Sequence, residues 1–443
     1  MSSPPKPDGN QTLEIEQHQN RTSPQERFAT LFAFFWFFCI LSSYSMVRPV
    51  RETMGTIVGK DELKWLFLAG FLAVCGLVPI YAFLVRYVSR TSIARVIFHA
   101  FACMSLLFCW ILRTDSGMEN LWIARTLFVW ISVLGIFSTS IFWSVLADLF
   151  SSQQAKRLFG RVASGGTIGA ICGSLATRGL ADHLAIPWLM VFPAALLEIG
   201  LIFCRGLEFN ARAWNRVSVL DHGDMEEAEN HSGSLLSGVS HVWKSGYLLR
   251  VCAFLMLVQA FGTLLYVRQA EIVKEEIVTT EAKIKFFANV DLWSQSLTLG
   301  LQFLVAGWLM RKFGVALALI LLPFIYFASL SSLAISPELS VLAVVMVATR
   351  SCAYGFTVPA REVLFTVVSR EDKYKAKNFI DTVVVRGGDT LSMQLIGFMQ
   401  GLGLSVSSLS VFALPLAICW AYLAWMLGKK QADLQQSSVS AYR

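Results

Sequence analysis

The chain has 443 residues, 55% of them hydrophobic and 15% charged, with a mean hydropathy of +0.57 and a net charge of +7. Soluble domains carry about 25% charged residues, so this composition excludes a water-soluble globular fold and makes the bilayer the natural solvent. The positive excess reads as a membrane-topology signal, with no nucleic acid as partner.

Residues 1–27 are polar, hold Asp8, Glu14 and Glu16, and lack an apolar centre. They are expected to be a disordered cytoplasmic tail, neither a secretory signal nor an organellar transit peptide. Twelve apolar runs follow, at 28–48, 64–85, 93–112, 120–149, 158–180, 186–204, 249–268, 286–310, 314–335, 339–366, 378–401 and 406–427. Each approaches the roughly 20 residues that a helix needs to cross the hydrocarbon at about 1.5 Å per residue. Stretches such as "LALILLPFIYFASLSSLA" do not alternate, which excludes a β-barrel.

The first run ends in "YSMVRPVRETMG", where Arg48, Pro49, Arg51 and Glu52 arrive within five positions. The fifth contains "GGTIGAICG", which lacks the Gly-Lys-Ser/Thr ending of a phosphate loop. Its Gly165, Gly169 and Gly173 recur every four residues, a spacing that lets helices approach closely, so they are expected to pack helices. Residues 205–248, including "DHGDMEEAENHSGS", form the one long hydrophilic segment and read as a cytoplasmic linker. The seventh run ends in "YVRQAEI" with Arg268.

The tenth run holds Arg350, Arg361 and Glu362. Eleven residues, about three turns, separate the two arginines, so both fall on one helix face. Pro359 interrupts the backbone ladder between them. "KAKNFIDTVVVRGGDT" opens the eleventh run and brings Arg386 and Asp389. Trp143 and Tyr354, inside spans, read as packing residues. Residues 428–443 form a second expected cytoplasmic tail.

The linker divides the spans six and six, and landmarks recur across it. Arg48 and Arg268 differ by 220 positions, Lys156 and Lys377 by 221, and Gly165 and Gly387 by 222. The expected fold is therefore an all-α membrane protein of twelve transmembrane helices in two pseudo-equivalent six-helix bundles, 28–204 and 249–427. With both termini cytoplasmic, the inner loops and tails hold most of the 37 Lys and Arg residues, which supports that orientation in a bacterial inner membrane. All nine cysteines lie in or beside apolar runs without a CxxC pair, so neither a disulfide framework nor a metal site is expected, and no cofactor is implied.

A charge near the bilayer centre costs roughly 2.5–3.5 kcal/mol on insertion scales, so charges kept there turn toward a cavity or a partner. Structural ion pairs with Glu52, Glu362 or Asp389, and snorkelling of Arg48, are the alternatives to a binding role. Arginines outnumber acids within the spans, and surplus guanidinium suits an anion, which Arg grips in a bidentate fork. The candidate binding set is Arg48, Arg51, Glu52, Arg268, Arg350, Arg361, Glu362, Arg386 and Asp389. The expected partners are the lipid bilayer and a small anionic solute, with the carrier acting as a monomer. A proton-coupled carrier of another solute, and an intramembrane enzyme or assembly protein, stand as the other readings. No His/Asp, Cys/His or metal constellation supports an enzyme.

The 6 + 6 layout with a central linker resembles that of major facilitator carriers, although "LVRYVSRTSIAR", between spans 2 and 3, lacks the acid and glycine of their usual signature. "YSMVRPVRETMG", "FWSVLADLFSSQQAKRLFGRVASGGTIGA" and "PAREVLFTVVSREDKYKAKNFIDTVVVRGGD" look like the ATP/ADP translocases of plastids and intracellular bacteria, especially their shorter bacterial relatives. The resemblance spans about residues 28–427 and implies a twelve-helix carrier that exchanges nucleotides. It also implies that Arg51 and Arg361, in place of that family's usual Lys, handle phosphates. The family's acid in span 4 has no counterpart in "WISVLGIFSTSIFWS", so the resemblance implies the fold and a transport role more strongly than it implies ATP/ADP as the solute.

Overall fold

The computed structural model describes residues 24–114, 120–150, 152–221, 242–243, 245–368 and 380–441. In hydrocarbon every backbone N–H and C=O must be paired within the segment, so the apolar runs become helices. The first half consists of α1 (Pro24–Val58), α2 (Lys60–Leu84), α3 (Arg90–Leu112), α4 (Leu121–Leu149), α5 (Ser152–Leu180) and α6 (Val191–Asp221). The second consists of α7 (Gly246–Glu276), α8 (Thr280–Gly300), α9 (Gly307–Ile335), α10 (Leu339–Cys352), α11 (Val385–Gly401) and α12 (Val406–Ala441). Lys377 and most of the linker, 222–241 and 244, lie outside the described residues.

Local sequence sets the helix starts. Ser89, Asn120, Ser245 and Thr279 each accept a hydrogen bond from a backbone N–H in the first turn of α3, α4, α7 and α8, satisfying donors that have no intrahelical partner. Gly59 takes φ 94° between α1 and α2, and Gly314 takes φ 76° within α9, where the eighth pass gives way to the ninth. Both values lie where a side chain would be strained.

π-helical turns at Leu301–Ala306, Ala353–Thr357 and Ile380–Val384 join α8 to α9, carry α10 into Val358–Leu364, and lead into α11. By length and hydropathy, nine segments among the described residues qualify as spans, one of them, Thr280–Ile335, covering two passes. α5 does not qualify on that measure because its Gly, Ser and charged residues lower the hydropathy, and α11, of 17 residues, is also too short; both pack on other helices.

Several helices outrun their apolar runs. α1 continues ten residues past Arg48 to Val58, α6 enters the expected linker, and α12 runs on to Ala441. Hydropathy drops where charges begin, whereas in α1 the helix continues and Arg48 and Arg51 pair with Glu52 within it.

Two hydrophobic cores form, one per half. In the first, Phe142 stacks on Phe37 at 4.2 Å and meets Trp36 edge-on at 4.9 Å. In the second, Phe261 stacks on Trp420 at 4.9 Å. The packing of α1 against α4, α5 and α6 is repeated by α7 against α10, α11 and α12. Likewise α3 with α6, α3 with α4 and α2 with α4 are mirrored by α9 with α12, α9 with α10 and α8 with α10. Between the halves, α2 packs on α11 and α5 on α8, which the same twofold operation interchanges. The chain is thus two pseudo-equivalent bundles.

Along α5, a Cβ on Gly165, Gly169 or Gly173 would overlap the carbonyl oxygens of Phe34, Phe38 and Ser42 on α1. Glycine is what lets these two backbones touch.

Polar links between the halves gather at the end where α1 turns into α2 and α7 into α8. Lys60 Nζ donates to Glu271 at 2.7 Å, Lys285 Nζ to Asp182 at 2.7 Å, and Gln394 Nε2 to the Lys64 carbonyl at 2.9 Å. The Lys285 ammonium holds the exposed Asp182 carboxyl below its ordinary pKa. The contribution of that bridge is therefore present above the ordinary carboxylate value and fades as pH falls through the lowered one. Exposed pairs contribute little to stability. Asp182→Asn is accordingly expected to leave the melting temperature within about 2 °C of wild type at neutral pH, as a fluorescence melt in detergent would show. A larger drop would mean that the bridge holds the halves together.

Candidate solute-binding cavity

Between the halves lies a cavity of about 420 Å³ whose wall draws on α1, α2 and α4 of the first half and on α7, the π turn Ala353–Thr357 and α11 of the second. On α1, Arg48 sits three and four residues before Arg51 and Glu52, so the three share one face of the helix. Pro49, inside α1, donates no backbone hydrogen bond, and Thr53 Oγ1 donates to its carbonyl at 2.9 Å.

Arg48 and Arg51 line the cavity, and Glu52 lies behind them with its side chain 1% exposed. Arg51 Nη2 donates to Glu52 Oε1 at 3.0 Å, and its guanidinium lies 5.2 Å from the centre of the Phe128 ring. The second half contributes Arg386 and Asp389 from α11 to the same cavity, where Gln259 Nε2 donates to Asp389 Oδ1 at 2.6 Å.

A buried carboxylate joins the two halves behind this wall. Asp291 of α8, 2% exposed, accepts from Arg350 Nη1 at 2.5 Å and faces Arg48 Nε at 3.6 Å. Arg350 therefore stands behind the cavity, and its Nη2 also reaches Gln269 Oε1 at 3.5 Å. The buried Arg48 Nε, Arg51 Nε and Thr263 Oγ1 make no hydrogen bond.

The remaining sequence candidates lie elsewhere. Arg268 is buried on α7, bound to Glu271 at 2.6 Å, and that carboxylate also accepts from Lys60. It belongs to the seal between the halves. Arg361 and Glu362 pair at 3.1 Å in the helical segment Val358–Leu364 and do not line the cavity. Eleven residues put Arg361 about 16 Å along the helix from Arg350, and the wider π turn Ala353–Thr357 between them alters the helical phase. A shared helix face gave a direction without a depth.

Tyr354, expected to pack, instead lines the cavity, whereas Trp143 does pack, against Phe37, Phe142 and Phe159. Sequence reading passed over Asp291, although an acid inside the eighth apolar run was its signal. Gln259, Gln269 and Tyr266 carried no comparable signal.

Two helical bundles enclosing a polar cavity at their interface, within a multi-pass membrane protein, define the class of secondary transporters that work as carriers and not as enzymes. The chain belongs to the Major Facilitator Superfamily, whose model matches residues 29–376. Solved structures give the same fold at low identity. A bacterial homologue of the human lysosomal transporter Spinster, inward-facing and unoccupied, is 14% identical with a TM-score of 0.57, over 93% of this chain and 99% of that one. A bacterial homologue of the iron transporter ferroportin, inward-facing, is 10% identical with a TM-score of 0.59, over 92% and 99%. An auto-inhibited peptide transporter of the POT family is 13% identical with a TM-score of 0.57, over 92% and 96%. No curated protein matches the sequence.

Proposed function

We propose that this carrier moves an organic anion across a bacterial inner membrane by alternating access, acting as a monomer with both termini in the cytoplasm. The observation that carries this reading is the convergence of Arg48 and Arg51 from one half and Arg386 from the other on one cavity where, among the described residues, Asp389 is the single carboxylate in the lining. Such a site draws anions and repels cations. Its volume lies within the ordinary range for small-ligand pockets, about 300–1,000 Å³. Tyr44, Phe67, Phe71, Phe128, Tyr266 and Tyr354 supply apolar and aromatic wall, which suits a solute with a flat or apolar body attached to its charge. A nucleotide has that form, and the sequence resemblance to ATP/ADP translocases favours it. In the proposed orientation the sealed end faces outward, so this is the inward-facing state.

The second reading is a proton-coupled carrier of a different solute, favoured by a carboxylate, Asp389, held in the wall by Gln259. Uptake of labelled nucleotides, phosphate and dicarboxylates into proteoliposomes, with and without an imposed proton gradient, tests both. Flux of an anion independent of the gradient is expected. Absence of flux for every anion would sink the proposal.

A further inference from the structure

The arginines around the cavity do not wait uncompensated, and the group that compensates them is placed to influence how the carrier cycles. Arg48, Arg51 and Arg350 form one buried cluster with Glu52 and Asp291. Three cations against two carboxylates leave a single positive charge. Glu52 is carried on α1 with Arg48 and Arg51, so it travels with those two. Asp291 differs, because it sits on α8 in the second half and reaches Arg48 of the first at 3.6 Å while holding Arg350 at 2.5 Å. Arg48 also lines the cavity, so its guanidinium borders solute space on one side and Asp291 on the other.

We propose, resting on the anion-carrier reading above, that Asp291 is an internal counter-anion that stands in for the transported anion while the cavity is empty. A solute anion entering the cavity takes over Arg48, and the contact between Arg48 and Asp291 across the halves loosens. When the solute leaves, Asp291 takes Arg48 back. Moving buried like charges past a low-dielectric barrier is unfavourable unless they are paired. The internal carboxylate therefore allows the empty carrier to reorient, and net uptake proceeds without a counter-substrate. Asp291→Asn takes the cluster from one surplus charge to two. Exchange survives, because an anion accompanies the carrier in both directions, whereas the empty return stalls.

The test uses the full-length protein in proteoliposomes, with radiolabelled ADP, inorganic phosphate and succinate as probes. Net uptake into empty vesicles is compared with exchange into vesicles preloaded with the same anion. For Asp291→Asn, net uptake is expected to fall at least 10-fold while exchange stays within about 3-fold of wild type. The apparent Kd should tighten, since no carboxylate competes for Arg48. Asp291→Glu should retain both fluxes. The double variant Asp291→Asn/Arg350→Gln returns the cluster to one surplus charge and should restore net uptake, which a merely structural role for Asp291 would not do.

If net uptake and exchange fall together in Asp291→Asn, or if the double variant is worse than the single, the counter-anion role is overturned while the anion-carrier reading stands. The same holds if the wild-type protein exchanges an anion but shows no net uptake. If the wild type moves none of the three anions by either assay, the carrier reading fails and the role of Asp291 fails with it.

Discussion

Arg51→Ala is expected to weaken the apparent affinity for the transported anion by about 10- to 100-fold. That range follows from the roughly 1.5–3 kcal/mol of a hydrogen bond to a charged group. The fold should survive, because Glu52, the acid that Arg51 neutralises at 3.0 Å, retains Arg48 at 3.8 Å. Arg51→Lys keeps the charge but loses the planar fork, so its loss should be smaller. Arg361 provides the contrast. It stands outside the cavity beside Glu362, so Arg361→Ala should leave the KM for the anion within about 3-fold of wild type, a shift of less than 1 kcal/mol. Concentration-dependent uptake in proteoliposomes reads all three variants. Normal KM for Arg51→Ala would remove the physical basis of the substrate assignment. A large KM increase for Arg361→Ala would mean that phosphate handling follows the family resemblance and not the cavity seen here.

Gly169→Leu is expected to be strongly damaging. Even a Cβ at this position overlaps the carbonyl of Phe38, and that atom belongs to the α1 backbone, which cannot rotate aside as a side chain would. α1 and α5 would have to separate, disturbing the close packing that places Arg48 and Arg51. Overpacking and loss of this interface should destabilise the protein by about 4 kcal/mol or more. The measurement is the yield of monodisperse protein together with its melting temperature in detergent. Gly401→Ala, where nothing lies within 4 Å, serves as the control and should be near neutral. Equal behaviour of the two variants would show that the glycine seam is not a packing requirement.

Residue chemistry legible along the chain led directly to the all-helical membrane fold, the six-plus-six division and the close glycine seam. Each follows from a local property: apolar runs long enough to span, one hydrophilic segment at the midpoint, and small residues at a four-residue spacing. The identity of the intramembrane arginines was equally legible, since a charge in an apolar run is conspicuous whatever surrounds it. Their grouping was not. Arg48, Arg51, Arg386 and Asp389 meet around one cavity, whereas Arg268 and Arg361, equally conspicuous, serve a seal and a local pair. Depth in the bundle depends on where helices start, on the π turns within them and on the partner each meets across the interface. Asp291 shows the same limit most clearly, because one acid among apolar neighbours acquires its meaning only when folding sets α8 against α1. Helices and charges were determined by the sequence itself; which charges share a space was decided by the packing of two halves against each other, and that packing is a sum over contacts between residues hundreds of positions apart.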